Sequence, residues 1–396
     1  MKTLQLRKGK ESSLLRFHPW IFSGALASVD ESVAEGDLVR VVDAKGQFLA
    51  LGHYEKSSLA VRILSFTPCN IDAAFWHERL TEAWELRRSL GLIGRRENNI
   101  FRLVHGEGDR LPGLIVDIYD HTAVMQAHSA GMHYVRQAIA DAIVSSSKGW
   151  VTAVYYKSET TLPYKAHLDA KNEYLVGDDS SATEVAQEYG LRFHIDWLNG
   201  QKTGFFVDQR ENRHLIERYA HGRSVLNMFC YTGGFSVSAL RGGATLVHSV
   251  DASAKAIDLT NANVALNFPG DTRHEGFAED AFHFLGRIPQ PCPYDLIVLD
   301  PPAFAKHQSA LRNAIKGYTR LNAAALRQIK PGGILFTFSC SQAVSKEQFR
   351  LAVFTAAAET GRHVRILHQL HQPADHPVSI YHPEGEYLKG LVLYVS

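Results

Sequence analysis

The sequence predicts an α/β protein: a small β-barrel at the start, a short central α/β region, and a larger C-terminal region on a parallel sheet. Three observations lead there. Period-two apolar runs fill residues 1–72, strands and helices alternate from about residue 184, and that last region carries Gly, Asp and Cys at its strand ends. A parallel sheet gathers its ligands at those carboxyl ends.

The barrel rests on Asp37-Leu-Val-Arg-Val-Val-Asp43, Phe48-Leu-Ala-Leu-Gly52 and Leu59-Ala-Val-Arg-Ile-Leu64, each bounded by turn residues. Near Ile71 the period becomes helical, with Phe75, Leu80, Trp84 and Leu86 to Leu90 on one face, and a second region (73–185) begins. It reads as strands at 101–105, 114–119, 123–128 and 151–156, with the Gly108-Asp-Arg-Leu-Pro-Gly113 turn and a helix near 134–144. The polar stretch Gly177-Asp-Asp-Ser-Ser-Ala-Thr183 reads as a linker. The third region (186–396) opens with a hairpin from Leu191 to Trp197 turning at Asn199-Gly200, then a helix to about Ala220. Strands follow near 225–230, 245–250, 294–299 and 333–339, separated by helices such as Ala254 to Asn267 and Leu311 to Ile329. Strand-like runs at 362–370 and 388–395 close the chain.

With 396 residues and 45% hydrophobic composition the chain can fill two or three cores. No apolar run reaches the roughly 18 residues a membrane span needs, and Met1 to Lys10 lacks an apolar signal core, so a cytoplasmic protein is expected. Cys69, Cys230, Cys292 and Cys340 have neither CxxC nor Cys/His spacing, which points to reduced thiols and no metal. The charge balance, 42 basic against 41 acidic, does not announce a nucleic-acid binder. A local basic patch does exist: Lys2, Arg7, Lys8, Lys10 and Arg16 are opposed only by Glu11.

The chemistry sits between Ser224 and Ser341. Val225-Leu-Asn-Met-Phe-Cys-Tyr-Thr-Gly-Gly-Phe-Ser236 is a strand running into a glycine turn, where Thr232, Gly233 and Gly234 let a ligand approach the backbone. It is not GxGxxG, which disfavours a nicotinamide dinucleotide. Asp251, ending the next strand, can accept both hydroxyls of an adenosine ribose; Asp280, before a short helix, can accept from an adenine amino group or cap that helix. Asp300-Pro-Pro-Ala-Phe304 forms a rigid loop beside the place where a sulfonium methyl donor would meet a substrate base. The cofactor expected is S-adenosylmethionine.

Cys340 ends the apolar run Gly333-Ile-Leu-Phe-Thr-Phe338, between Ser339 and Ser341 and opposite the Asp300 loop. Carbon 5 of a pyrimidine is too poor a nucleophile to take a methyl group unaided, and a thiolate adding at carbon 6 makes it enamine-like. Asp300 would orient the ring and assist protonation at its nitrogen. Cys230 is read as packing.

Further motifs are His18-Pro-Trp-Ile-Phe-Ser-Gly24, Lys202-Thr-Gly-Phe-Phe-Val-Asp-Gln-Arg210, Phe338-Ser-Cys-Ser341 and Ala374-Asp-His-Pro377. With the turns above, they make the chain resemble, over its full length, the bacterial 23S ribosomal RNA 5-methylcytosine methyltransferases. The resemblance implies an N-terminal PUA-type barrel (1–72) that handles RNA, a small central α/β domain (73–185) and a C-terminal Rossmann-like class I methyltransferase domain (186–396). It implies Cys340 as nucleophile. It also implies a cofactor pocket of Thr203, Asp208, Gln209 and Arg210 with Asn227, Phe229, Tyr231, Thr232, Gly233, Asp251, Asp280 and Asp300. Ribosomal RNA, free or in an assembly intermediate, is the partner implied, with a homodimer as a candidate assembly. Many such enzymes carry a second Cys in the Asp-Pro loop; here Ala303 and Phe304 stand there, and the base that removes the carbon 5 proton is unassigned. Lys157-Ser-Glu-Thr-Thr-Leu-Pro-Tyr164 departs from the family's basic, glycine-containing segment.

Two other readings compete. One is methylation of an exocyclic purine nitrogen with Cys340 inert; the other is an RNA-binding ribosome-assembly factor without chemistry.

Overall fold

The computed structural model describes all residues except 96, 164, 165, 167, 169, 182–184 and 306. Ala182 and Thr183 of the expected linker, and Tyr164 of the 157–164 segment, lie outside the described residues. Two compact units form: Met1–Gln187 with Ile195–Val207 and Ala374–Gly385, and Glu188–His194 with Asp208–Pro373 and Glu386–Ser396.

In the first unit, β1 (Lys2–Gln5), β2 (Trp20–Phe22), β3 (Leu38–Val42), β4 (Phe48–Tyr54) and β5 (Leu59–Ser65) form a sheet in the order β1-β3-β4-β5-β2. Period-two spacing turns Val39, Val41, Val61 and Ile63 into a core shared with Leu4, Leu6 and Leu14. Next comes α1 (Ala73–Ser89), whose N-cap Asp72 accepts from the Phe75 amide. β6 (Ile100–His105), β7 (Leu114–Tyr119), β8 (Thr122–Ala127), β9 (Ala153–Tyr156) and β10 (Glu173–Val176) make a second sheet, order β10-β9-β8-β7-β6, with α2 (Ala130–Tyr134) and α3 (Arg136–Ser146) between β8 and β9.

Buried ion pairs brace this unit. Arg102 grips both carboxylate oxygens of Asp117 at 2.8 Å, and Arg87, fully buried, spans both oxygens of Asp109 and reaches the Asp375 carbonyl at 2.6 Å. The Asp375 carboxylate accepts the Arg102 amide at 2.9 Å, which gives the Ala374–Pro377 motif a structural role. Gly108 of the turn motif is obligatory, because a Cβ there would meet the Pro377 carbonyl oxygen at 1.8 Å.

The expected hairpin turning at 199–200 does not form. β12 (Leu191–His194) instead joins β11 (Val185–Glu188) in a two-stranded sheet, across Tyr189 (φ 49°) and Gly190 (φ 82°). Two successive positive φ values are the signature of a two-residue type I′ loop, and they fix the pairing backwards along the chain.

The second unit is built on seven strands in the order β15-β14-β13-β16-β17-β19-β18: β13 (Ser224–Met228), β14 (Leu246–Asp251), β15 (His274–Ala278), β16 (Leu296–Leu299), β17 (Gly333–Ser339), β18 (Val364–His371) and β19 (Lys389–Val395). The first five run parallel, and β19 inserts antiparallel between β17 and β18. Its helices are α4 (Arg210–Ala220), α5 (Gly234–Arg241), α6 (Ala254–Asn267), α7 (Ala281–Gly286), α8 (Leu311–Gln328) and α9 (Lys346–Thr360). All residues of β13, β16 and β17 are buried, the continuous apolar run a sheet covered on both faces requires. No helix among the described residues is long and apolar enough to cross a membrane.

Candidate active site

The chain leaves β13 through a turn whose shape the sequence dictates. Phe229, Tyr231 and Gly233 have φ of 59°, 47° and 78°, and a Cβ on Gly233 would meet Thr260 Cγ2 at 2.5 Å. The Gly233 amide closes the turn on the Cys230 carbonyl at 2.8 Å, and α5 starts at once, leaving its first amides without helical partners. Thr232 is held by Asn263, whose amide donates to its carbonyl at 2.8 Å. Asn227 donates to Ser236 Oγ at 2.8 Å, while its own Oδ1 is buried with no hydrogen-bond partner among the described residues. An orphaned buried acceptor is costly unless a ligand satisfies it.

Asp251 ends β14. Its Oδ2 accepts the Tyr231 amide at 3.0 Å and its Oδ1 the Ser253 amide at 2.9 Å, which ties it to the turn and leaves each oxygen a further lone pair. Asp280 caps α7, with Oδ1 accepting the amides of Phe282 and His283 at 2.9 and 3.0 Å. Both functions that the sequence allowed for Asp280 are compatible, since capping occupies one oxygen.

Gln209 is tied to another expected site residue: its Nε2 donates to Asp300 Oδ2 at 3.0 Å, while its Oε1 accepts from Asn212 at 2.6 Å. Asp208 accepts the Tyr387 hydroxyl at 2.7 Å. Arg210, buried at the start of α4, donates to Glu211 at 3.2 Å. Thr203 belongs to the first unit, where its hydroxyl donates to Asp117 at 2.6 Å and lies 3.0 Å from the Tyr119 hydroxyl.

Cys340 follows β17 directly. It is half-buried, and its thiol lies 3.9 Å from the Pro301 carbonyl oxygen, against the Asp-Pro-Pro loop. Further ties fix that loop: the Ser341 hydroxyl bonds the Ala305 carbonyl, and Ser339 Oγ donates to the buried Tyr318 hydroxyl at 2.9 Å. Tyr318 also bonds the Phe304 backbone and packs tilted on the Phe304 ring, centroids 4.6 Å apart; burial pushes its hydroxyl up to about 12, and the charges of Cys340 and Asp300 add to the rise. The remaining thiols differ. Burial pushes Cys230 up to about 12 beside Thr260 and raises Cys292, whereas Cys69 is exposed. No group of His, Cys, Asp and Glu suited to a metal occurs among the described residues.

Sequence reasoning missed Tyr318, Tyr387 and Lys389. Lys389 is buried on β19 in register with Ser339, and donates to the carbonyls of Ser341 at 2.5 Å and Val344 at 2.6 Å. No local signal could have found it, because its partners lie more than 40 positions away in the chain.

A glycine turn, an orphaned acceptor and a ribose-competent carboxylate at the ends of adjacent parallel strands fit S-adenosylmethionine, and the fold with this site defines an S-adenosylmethionine-dependent methyltransferase. Residues 103–385 match the S-adenosylmethionine-dependent methyltransferase family, and residues 4–66 match the PUA-like domain. Ribosomal RNA large subunit methyltransferase I of Klebsiella pneumoniae (strain 342) is 39% identical over 99% of this chain and 98% of its own. The Escherichia coli (strain SMS-3-5 / SECEC) protein of that name is 38% identical over 99% of each. The chain belongs to the ribosomal RNA large subunit methyltransferase I family. Among solved structures, a chain from Streptococcus mutans assigned as a SAM-dependent methyltransferase superposes with TM-score 0.84 at 20% identity over 100% of both chains. A methyltransferase complexed with S-adenosylhomocysteine does so with TM-score 0.85 at 20% identity, again over 100% of both.

Proposed function

We propose that this protein transfers a methyl group from S-adenosylmethionine to carbon 5 of a cytosine in 23S ribosomal RNA, through a covalent adduct on Cys340. The cofactor, when bound, supplies an electrophilic methyl group. The residues that would hold it are Asn227, Phe229, Tyr231, Thr232, Gly233, Asp251 and Asp280, with Asp208, Gln209, Arg210 and Asp300 at its margin. The target base must leave its stack to be reached. The Cys340 thiolate forms a bond to carbon 6, and the electron pair moved to carbon 5 makes that carbon the nucleophile. Asp300, oriented by Gln209, holds the ring edge and assists protonation at the ring nitrogen. Loss of the carbon 5 proton after methylation returns the electron pair, breaks the sulfur–carbon 6 bond and frees the thiolate.

One observation carries this reading: the Cys340 thiol is half-buried and lies 3.9 Å from the Pro301 carbonyl of the Asp-Pro-Pro loop, while Cys230 and Cys292 are sealed in packing. The names of the relatives support ribosomal RNA as substrate. Nucleoside mass spectrometry of large-subunit RNA from cells lacking the gene tests it. One 5-methylcytidine should disappear; loss of a methylated purine in its place would favour the exocyclic-nitrogen reading.

A further inference from the structure

A thiolate nucleophile needs positive charge nearby, and neither Asp300 nor the neutral hydroxyls around Cys340 provide it. Among the described residues of the second unit, a buried ammonium group lies at this strand end. Lys389 opens β19 opposite Ser339, the residue before Cys340, and its Nζ donates to the carbonyls of Ser341 and Val344, just beyond Cys340. Two carbonyls are neutral partners. They satisfy two of its three donors, and no salt bridge among the described residues compensates its charge.

A lysine buried only to hold a turn is an expensive choice, since a neutral amide or hydroxyl could hold the same carbonyls without desolvating a charge. We infer that Lys389 is a positioning residue for methyl transfer, fixing the 340–344 turn and supplying the positive charge that keeps the Cys340 thiol ionised. The inference rests on Cys340 being the nucleophile.

Among the described residues, charges of both signs act on the pair. Asp300 after β16 opposes thiol ionisation, and Tyr318 on α8 stays neutral beside it. Glu386, ahead of β19, and Lys346, at the start of α9, act on Lys389 with opposite signs and are paired with each other. Burial lowers Lys389 to about 8, and the Cys340 charge is the largest influence raising it. The attraction is mutual, so the ammonium favours a thiolate at Cys340. At pH 7 Lys389 remains mostly protonated, so charge is present where the nucleophile works.

Thiol alkylation on the full-length protein tests this without RNA. Iodoacetamide labelling of Cys340 is followed by peptide mass spectrometry across pH, with exposed Cys69 as internal reference. Cys340 in the unaltered chain should reach half-maximal rate at lower pH than Cys69. Lys389→Met should raise the Cys340 half-point by about one pH unit and lower its labelling at pH 7 about tenfold, whereas Lys389→Arg should stay within about twofold of wild type. In the methylation assay Lys389→Met should lower kcat by about tenfold and leave KM for RNA within about twofold. An unchanged half-point in Lys389→Met, or equal shifts in Met and Arg variants, overturns the charge role. If Lys389→Met fails to fold, a wild-type Cys340 half-point at or above that of Cys69 still overturns it. Were Cys340→Ala to keep methylating, the adduct would be refuted, whatever the labelling shows for Lys389.

Discussion

Asp251 gives the sharpest quantitative prediction for cofactor binding. Its two oxygens each accept one backbone amide, from Tyr231 and Ser253, and each retains a lone pair for one of two vicinal ribose hydroxyls. Asp251→Ala would remove both proposed ribose bonds and release the Tyr231 amide, which Asp251 holds in a left-handed conformation at φ 47°. Taking about 1–1.5 kcal/mol for each half-exposed, charge-assisted bond gives about 2–3 kcal/mol, or about 30- to 150-fold weaker binding. Asp251→Asn should fall between the two, because either orientation of the amide turns an NH2 group against one of the two backbone N–H donors. Isothermal titration with S-adenosylhomocysteine measures this, and circular dichroism checks that the fold persists. A dissociation constant for Asp251→Ala within threefold of wild type would show that the carboxylate serves only the turn.

Cys340→Ala should abolish RNA methylation while S-adenosylhomocysteine affinity stays within about twofold; normal turnover would remove the covalent step. Arg87→Met strands the buried Asp109 carboxylate and should lower stability by about 3–5 kcal/mol in urea unfolding, and a loss under about 1 kcal/mol would show that the pair is relaxed by water. Burial pushes His53 down to about 4 from 6.5, so its neutral form belongs to the folded state. Its contribution is therefore fully present above about pH 6.5 and lost progressively as pH falls to 4, on the order of 3 kcal/mol. His53→Gln should flatten that part of the urea-denaturation profile, and an unchanged slope would assign the acid sensitivity to other groups.

Elements with strong periodicity were legible from the chain: the helix expected from Ala254 to Asn267 has those bounds, and the strand expected at 333–339 coincides with β17. Two edge strands were not. His274-Glu-Gly-Phe-Ala278 of β15 and Glu173-Tyr-Leu-Val176 of β10 show no period-two alternation, because they bury little and are defined by pairing with a neighbour. The 199–200 hairpin failed for a related reason. Asn-Gly is the stronger turn signal, yet Tyr189-Gly190 takes the left-handed pair of φ values, with the Tyr189 hydroxyl held on Glu211 at 2.6 Å.

At the candidate site, residues anchored by local turn chemistry were readable. Gly233 and Asp280 each sit one step before the helix they cap, and Asp251 is the last residue of its strand. Tyr318 and Lys389 were not, since each acts through residues far along the chain that only the folded sheet brings together.

The covalent step can be trapped directly. With RNA carrying 5-fluorocytosine at the target and S-adenosylmethionine present, carbon 5 loses no proton after methylation, so the sulfur–carbon 6 bond cannot break by the normal route. The account predicts a denaturation-stable protein–RNA complex whose digest carries the methylated fluoropyrimidine on the peptide containing Cys340. Methylation of cytosine RNA with no such complex, or a complex on another residue, would contradict it.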